Sequence, residues 1–143
     1  MRLLIVQYAG DYGEAFERFA EDKGEAYYAQ KYSVDAVAEI GKLIEEVTII
    51  CCLTAEPYDR VLANGVRAIG AGFQGTVPIK NLLRLIVEQK PTHLVVHTPI
   101  REIFQGAIRH KVKTIAALAD SFSTQALRNK IRNYWLASIL NNN

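Results

Sequence analysis

The side chains and glycines that could do chemistry in this 143-residue chain recur at one kind of place. Gly10, Asp11, Tyr12 and Gly13 follow one apolar run, and Gly72 follows another. His97 and Thr98 close a third, and Asp120 and Ser121 follow a fourth. Glycine lets a backbone approach a ligand closely, and His, Asp, Ser and Thr supply donors and acceptors. The pattern points to a binding site made of strand ends. His97 either contacts a ligand there or bonds to a neighbouring loop, and Asp120 either contacts a ligand or braces its own loop. His93 and His97, four apart on one strand, would share a face about 13 Å apart and could not hold one metal ion. His110 suits a helix C-terminus. No metal set and no cofactor are expected. A dinucleotide fingerprint needs three closely spaced glycines opening a helix, and only Gly10 and Gly13 occur. No Walker A motif occurs, and the acids and lysine of a receiver domain are absent from the strand ends.

The elements that position these residues read as alternating strands and helices. Leu3–Gln7, Val47–Leu53, Val66–Ala71, His93–Thr98 and Thr114–Ala119 are the apolar runs. Near-continuous apolar strands suit a sheet covered on both faces, and alternation with helices makes that sheet mostly parallel. The expected fold is three-layer α/β, a Rossmann-like doubly wound sheet of about five strands, in one domain over 1–143. Helical periodicity predicts Glu14–Asp22, stopped by Gly24, and Val34–Leu43, capped by Ser33. It also predicts Pro78–Gln89, Ile100–His110 and Gln125–Leu140. Thr54–Gly65 reads as loop, marked by Pro57 and Asn64-Gly65. In such a sheet ligands sit outside the carboxyl ends of the strands, near the switch point of the strand order.

Composition excludes some classes. No apolar run approaches a membrane span, and Leu3–Val6 is too short for a signal peptide. Cys51 and Cys52 are adjacent on a strand, so they face opposite ways and read as buried thiols in a reducing compartment, the cytoplasm. Residues 1–60 carry 12 acids and 6 bases, whereas 61–143 carry 3 acids and 11 bases. The basic C-terminal part, with Arg128, Lys130, Arg132 and Trp135 on its last helix, would fit an anionic membrane surface in the manner of a peripheral protein. The same helix equally reads as one packed on the sheet. An exposed sheet edge would fit a homodimer. Nucleic acid is not expected, because the bases are not interleaved with stacking aromatics.

The order of elements also resembles the N-terminal domain of a GT-B glycosyltransferase of the family 4 type. The carrying residues are Arg2–Gln7, Ser33–Leu43, Lys90–Pro99 and Val112–Phe122, with Ala119 where that family has a histidine before the aspartate. The first loop also lacks the family's adjacent glycine pair. The resemblance implies an acceptor-binding domain, with Gly10–Gly13 facing donor phosphates and acceptor and Asp120 matching the family's aspartate. A sugar acceptor would be its partner, and a nucleotide-sugar would bind only with a C-terminal domain. The chain's end at Asn143, directly after a helix, then suggests the N-terminal half of a two-domain enzyme, inactive alone. The reading from another class is a stand-alone binding or self-association module.

Overall fold

A computed structural model describes residues 1–26, 30–97 and 100–116. In chain order the elements are β1 (Arg2–Gln7), α1 (Tyr12–Ala20), α2 (Gln30–Gly41), β2 (Glu46–Cys51), β3 (Tyr58–Val61), β4 (Arg67–Gly70), α3 (Ile79–Glu88), β5 (His93–Val96), α4 (Arg101–Arg109) and β6 (Lys113–Ala116). They build one six-stranded sheet in the order β3-β4-β2-β1-β5-β6. Every pairing is parallel except that of β3 with β4. This is the three-layer, Rossmann-like α/β fold that the sequence pattern implies.

The two-sided burial of the strands explains their composition. Leu4 and Val6 of β1, Ile50 of β2 and Cys52 just after it pack into one core with Leu82 and Ile86 of α3 and Ile103, Phe104 and Ala107 of α4. Ile5, Val47, Ile49 and Cys51 pack into the other, with Tyr12 and Ala15 of α1 and Val34 of α2. Period-2 alternation thus feeds both helical layers from the same strands. The adjacent thiols do face opposite layers. Burial pushes Cys51 up to about 11 and Cys52 up to about 12.

Several boundaries differ from the sequence expectation. The segment 54–65, expected as loop, contains β3. Asn64-Gly65 turns a hairpin there: Gly65 N–H donates to Leu62 O (2.9 Å), Leu62 N–H donates to Val66 O (2.9 Å), and Gly65 takes φ +83°. The signal was present, but Tyr58-Asp59-Arg60-Val61 lies at an edge and its residues after Tyr58 are exposed, so no apolar alternation marks it. Helix α1 begins at Tyr12 rather than Glu14, because Asp11, in extended conformation, caps it by accepting the Glu14 N–H (3.1 Å). It ends at Ala20 rather than Asp22, which takes the left-handed region (φ 57°), while Lys23 N–H donates to Arg18 O (2.9 Å). Ser33 lies inside α2 and does not cap it. That helix starts a turn earlier, where the Glu25 carboxylate accepts the Lys31 N–H (2.7 Å) and Gln30 Oε1 accepts the Ala26 N–H (2.7 Å). The expected last helix, 125–140, lies outside the described residues.

Two outcomes check this core. Phe104 is fully buried, so Phe104→Ala should lower the unfolding free energy by about 3–5 kcal/mol in urea titration. The native thiols at mildly alkaline pH should react with an aromatic disulfide reagent far more slowly than in denaturant, because the thiolate is the nucleophile and burial suppresses it. Reaction at the rate of a free thiol would show that β2 is not enclosed.

Candidate functional site

The register aligns the strand ends. Gln7 lies beside Cys51, Cys51 beside Gly70, and Val6 beside Val96. The residues that follow β1, β2, β4 and β5 therefore emerge along one rim of the sheet. From β1 the chain proceeds toward β2 and β4 on one side, then crosses to β5 and β6 on the other. The strand order reverses between β1 and β5, and a crevice opens there in doubly wound sheets.

Two spaces occupy this place. A small, partly open cavity of about 40 Å³ takes its polar lining from Gln7, Asp11, Tyr12, Gln30, Ser33 and His97. That is room for water and not for a metabolite. Beside it lies an open groove of about 430 Å³, bordered by Ala9, Gly10, Asp11, Glu14, Arg18, Ala26 and Gln30. Its size is that of a small-ligand pocket. Asp11, Ala15 and Gln30 line both.

The groove is charged with both signs. Asp11 Oδ1 is held twice, as cap of α1 and as acceptor of a hydrogen bond from the Tyr58 hydroxyl. Burial, followed by that bond, holds Tyr58 well above the ordinary phenol range. Arg18 contributes a guanidinium whose Nε is buried with no hydrogen-bond partner. A buried donor without an acceptor is uncommon. On the opposite side of the sheet the Tyr8 hydroxyl is likewise buried without a partner, and burial raises Tyr8 to about 12.

The neighbouring strand ends are braced rather than open. Thr54 Oγ1 donates to Glu56 O (2.9 Å) and accepts the Gly72 N–H (2.9 Å). The Gln74 amide donates to Ala55 O (3.2 Å). The Tyr58 ring covers Gly70, where a Cβ would also lie 2.8 Å from Thr54 Oγ1. It covers Gly13 as well, where a Cβ would meet Tyr58 Oη at 2.8 Å and Arg60 Nη2 at 3.0 Å. The two glycines thus make room for one tyrosine, which ties β3 to the start of α1.

This geometry sorts the expected site residues. Gly10 (φ +87°) and Asp11 border the groove, and His97 joins Asp11 at the cavity. Tyr12 is structural: its hydroxyl donates to Val34 O (2.9 Å) and accepts from Asn64 (3.2 Å), and its N–H points at Cys51 Sγ (3.2 Å). Gly13 lies under Tyr58, and Gly72 (φ +66°) is locked against Thr54 and Pro57, so neither faces the groove. Thr98, Asp120, Ser121, Arg128, Lys130, Arg132 and Trp135 lie outside the described residues. Arg18, Glu14 and Gln30 were missed because they sit on helices, where a charged or amide residue reads as solvated surface. Among the described residues no group of three or more His, Cys, Asp or Glu could hold a metal ion, and no helix is long and apolar enough to cross a membrane.

His97 is solvent-exposed as a residue, but the atoms packed about its ring disfavour the imidazolium, and its pKa falls below the ordinary 6.5. The unfolded chain therefore binds this proton first on acidification. Stability should fall as pH drops from about 6.5 through the folded pKa. Urea unfolding at neutral pH and at about pH 5 should show a larger loss for the wild type than for His97→Asn. Equal losses would remove His97 from the balance.

Comparison with known proteins bears on the glycosyltransferase resemblance. No family model matches the chain, and no curated protein matches it. A solved structure, the SurE protein from Aquifex aeolicus, is similar at 15% sequence identity and a TM-score of 0.38. The likeness covers 99% of this chain and 60% of that one, so the chain spans about three fifths of its length. The GT-B resemblance is therefore corrected: no family model and no curated protein supports it, and the solved structure that matches is a SurE protein, not a glycosyltransferase. The segments quoted for it are a central strand, one sheet-covering helix, a Pro-led strand and the strand after it, which doubly wound sheets share. The acceptor and donor roles implied for Gly10–Gly13 and Asp120 rested on that resemblance and go no further.

Proposed function

We propose that this chain binds a small polar molecule in the groove at the carboxyl end of β1. The observation that carries the reading is the position of the groove. It borders the loop that follows β1, the strand beside which the strand order reverses, between α1 and the start of α2, with a volume of about 430 Å³. Its lining narrows the chemistry. Arg18 offers donors to one anionic group, while Asp11 and Glu14 oppose a second. A pyrophosphate would meet two carboxylates where it needs donors. A ligand with one carboxylate or phosphate and nearby ammonium or hydroxyl groups would meet complementary partners on both sides. Gln30 and the backbone at Gly10 add neutral polar contacts.

The test is a titration of the whole chain followed by amide NMR. The probes are free amino acids, small hydroxy acids and inorganic pyrophosphate. At least one amino acid or hydroxy acid should shift the Gly10, Asp11 and Gln30 amides. Arg18→Gln should weaken that binding by about tenfold or more, the loss expected for a charged hydrogen bond. Saturation by pyrophosphate alone, or no shift at these amides with any probe, would overturn the reading.

A further inference from the structure

Asp11 is a half-buried carboxylate on the border of both the groove and the small cavity. One of its two oxygens carries every hydrogen bond its side chain makes. Oδ1 accepts the Glu14 N–H (3.1 Å) from α1 and the Tyr58 hydroxyl from β3, 47 residues away in the chain. No described residue donates to Oδ2. The last torsion of an aspartate is soft, so a carboxylate held only as a cap swings about it. Two donors that converge on one oxygen from different elements oppose that swing, because turning breaks both bonds together. The Tyr58 hydroxyl keeps its proton for this purpose: burial first, then the bond to Asp11, holds it well above the ordinary phenol range.

The surroundings seat this ring closely. A Cβ on Gly13 would lie 2.8 Å from Tyr58 Oη, and one on Gly70 would collide with the ring carbons. Arg60, two residues on in β3, places its guanidinium 4.9 Å from the ring centroid and bridges Glu17 of α1 (2.6 Å). That bridge is exposed on both sides and contributes little, so the Tyr58 hydroxyl is the group from β3 that fixes Asp11. Glu14, the other carboxylate on the groove, is exposed, and solvent blunts its discrimination between one approaching group and another. Asp11 is therefore the carboxylate able to tell an ammonium, with its charge and three donors, from a hydroxyl with one. That discrimination depends on where its free oxygen stands, and Tyr58 determines where.

We propose that Tyr58 is a positioning residue of the groove: it fixes the Asp11 carboxylate so that Oδ2 receives a ligand ammonium, and the groove thereby prefers an amino acid to the hydroxy acid of the same carbon skeleton. Resting on the groove as a small-ligand site, this role adds which group the ligand presents to Asp11. Amide NMR titrations of the full chain with two matched pairs, alanine with lactate and serine with glycerate, test it. In the wild type the amino acid of a pair should bind at least about tenfold tighter, the difference a charge-assisted hydrogen bond makes. Tyr58→Phe keeps the ring and removes the hydroxyl, whereas Gly13→Ala keeps the hydroxyl and pushes it away. Each should cut that ratio to about threefold or less, with hydroxy-acid affinity changed less than about twofold. Glu17→Gln, which breaks only the exposed bridge between the same two elements, should keep the wild-type ratio. General loosening of the fold would instead weaken both members of a pair alike. A wild type without preference would overturn the proposal and leave the groove as a binding site. So would a wild-type ratio in Tyr58→Phe, or equal losses for both members of a pair. A wild type in which neither member shifts the Gly10, Asp11 and Gln30 amides would overturn the groove reading itself, and the role of Tyr58 with it.

Discussion

The constraint on which the rest of the structure depends is the complete enclosure of β1. This strand has a partner on each edge, with β2 paired along its whole length and β5 from Leu3 to Val6. Its side chains also feed both cores, Leu4 and Val6 one and Ile5 the other. A buried strand must pair its N–H and C=O groups on both sides, since an unpaired buried group costs more than a hydrogen bond returns. Placing the first strand in the middle obliges the chain to build outward in both directions. It lays β2, β4 and β3 to one side, then crosses over to β5 and β6. The reversal of order beside β1, and the groove at that rim, are consequences of this placement. The loop after β1 leaves the sheet where neighbouring crossovers diverge, so it has free space beside it.

What keeps that loop in one conformation is a hydrogen-bonded brace. Asp11 caps α1 and accepts from Tyr58, while the Tyr58 ring fills the space above Gly13 and Gly70. The hairpin β3–β4 thereby acts at a distance from its own edge, since its first residue fixes the start of α1. Tyr12, one residue on, repeats the device on the inner side, with bonds to Val34 O and Asn64. The loop from β1 into α1 is therefore held through side chains from β3 and the turn after it, and from α2 through a backbone carbonyl. The groove side of Asp11 faces Gly10, Glu14, Arg18 and Gln30.

The layering was legible because burial writes itself into composition. Val47–Leu53 and His93–Thr98 are apolar on both faces, and only a covered parallel strand needs that. The edge strand was illegible for the converse reason. Asp59 and Arg60 discourage edge pairing and erase the alternation that identifies a strand, although Asn64-Gly65 marked the turn. Helix starts were misplaced where capping was done from a distance. Glu25 and Gln30 supply the bonds that Ser33 was expected to make, and no local spacing encodes a contact between 25 and 31. In the site, Gly10, Asp11 and His97 were found by the strand-end rule. Arg18 was not, because its significance lies in a buried Nε without an acceptor, a property of packing alone. Family resemblance misled for a related reason: a succession of strands and helices carries architecture, while function resides in the loops and helix ends.

Helix α2 joins these themes. Its first residue, Gln30, lines the groove and the cavity beside it, and Val34, one turn on, is buried against the sheet. The packing of Val34 in the core therefore fixes where Gln30 meets Asp11, so that the same helix covers the sheet and borders the groove.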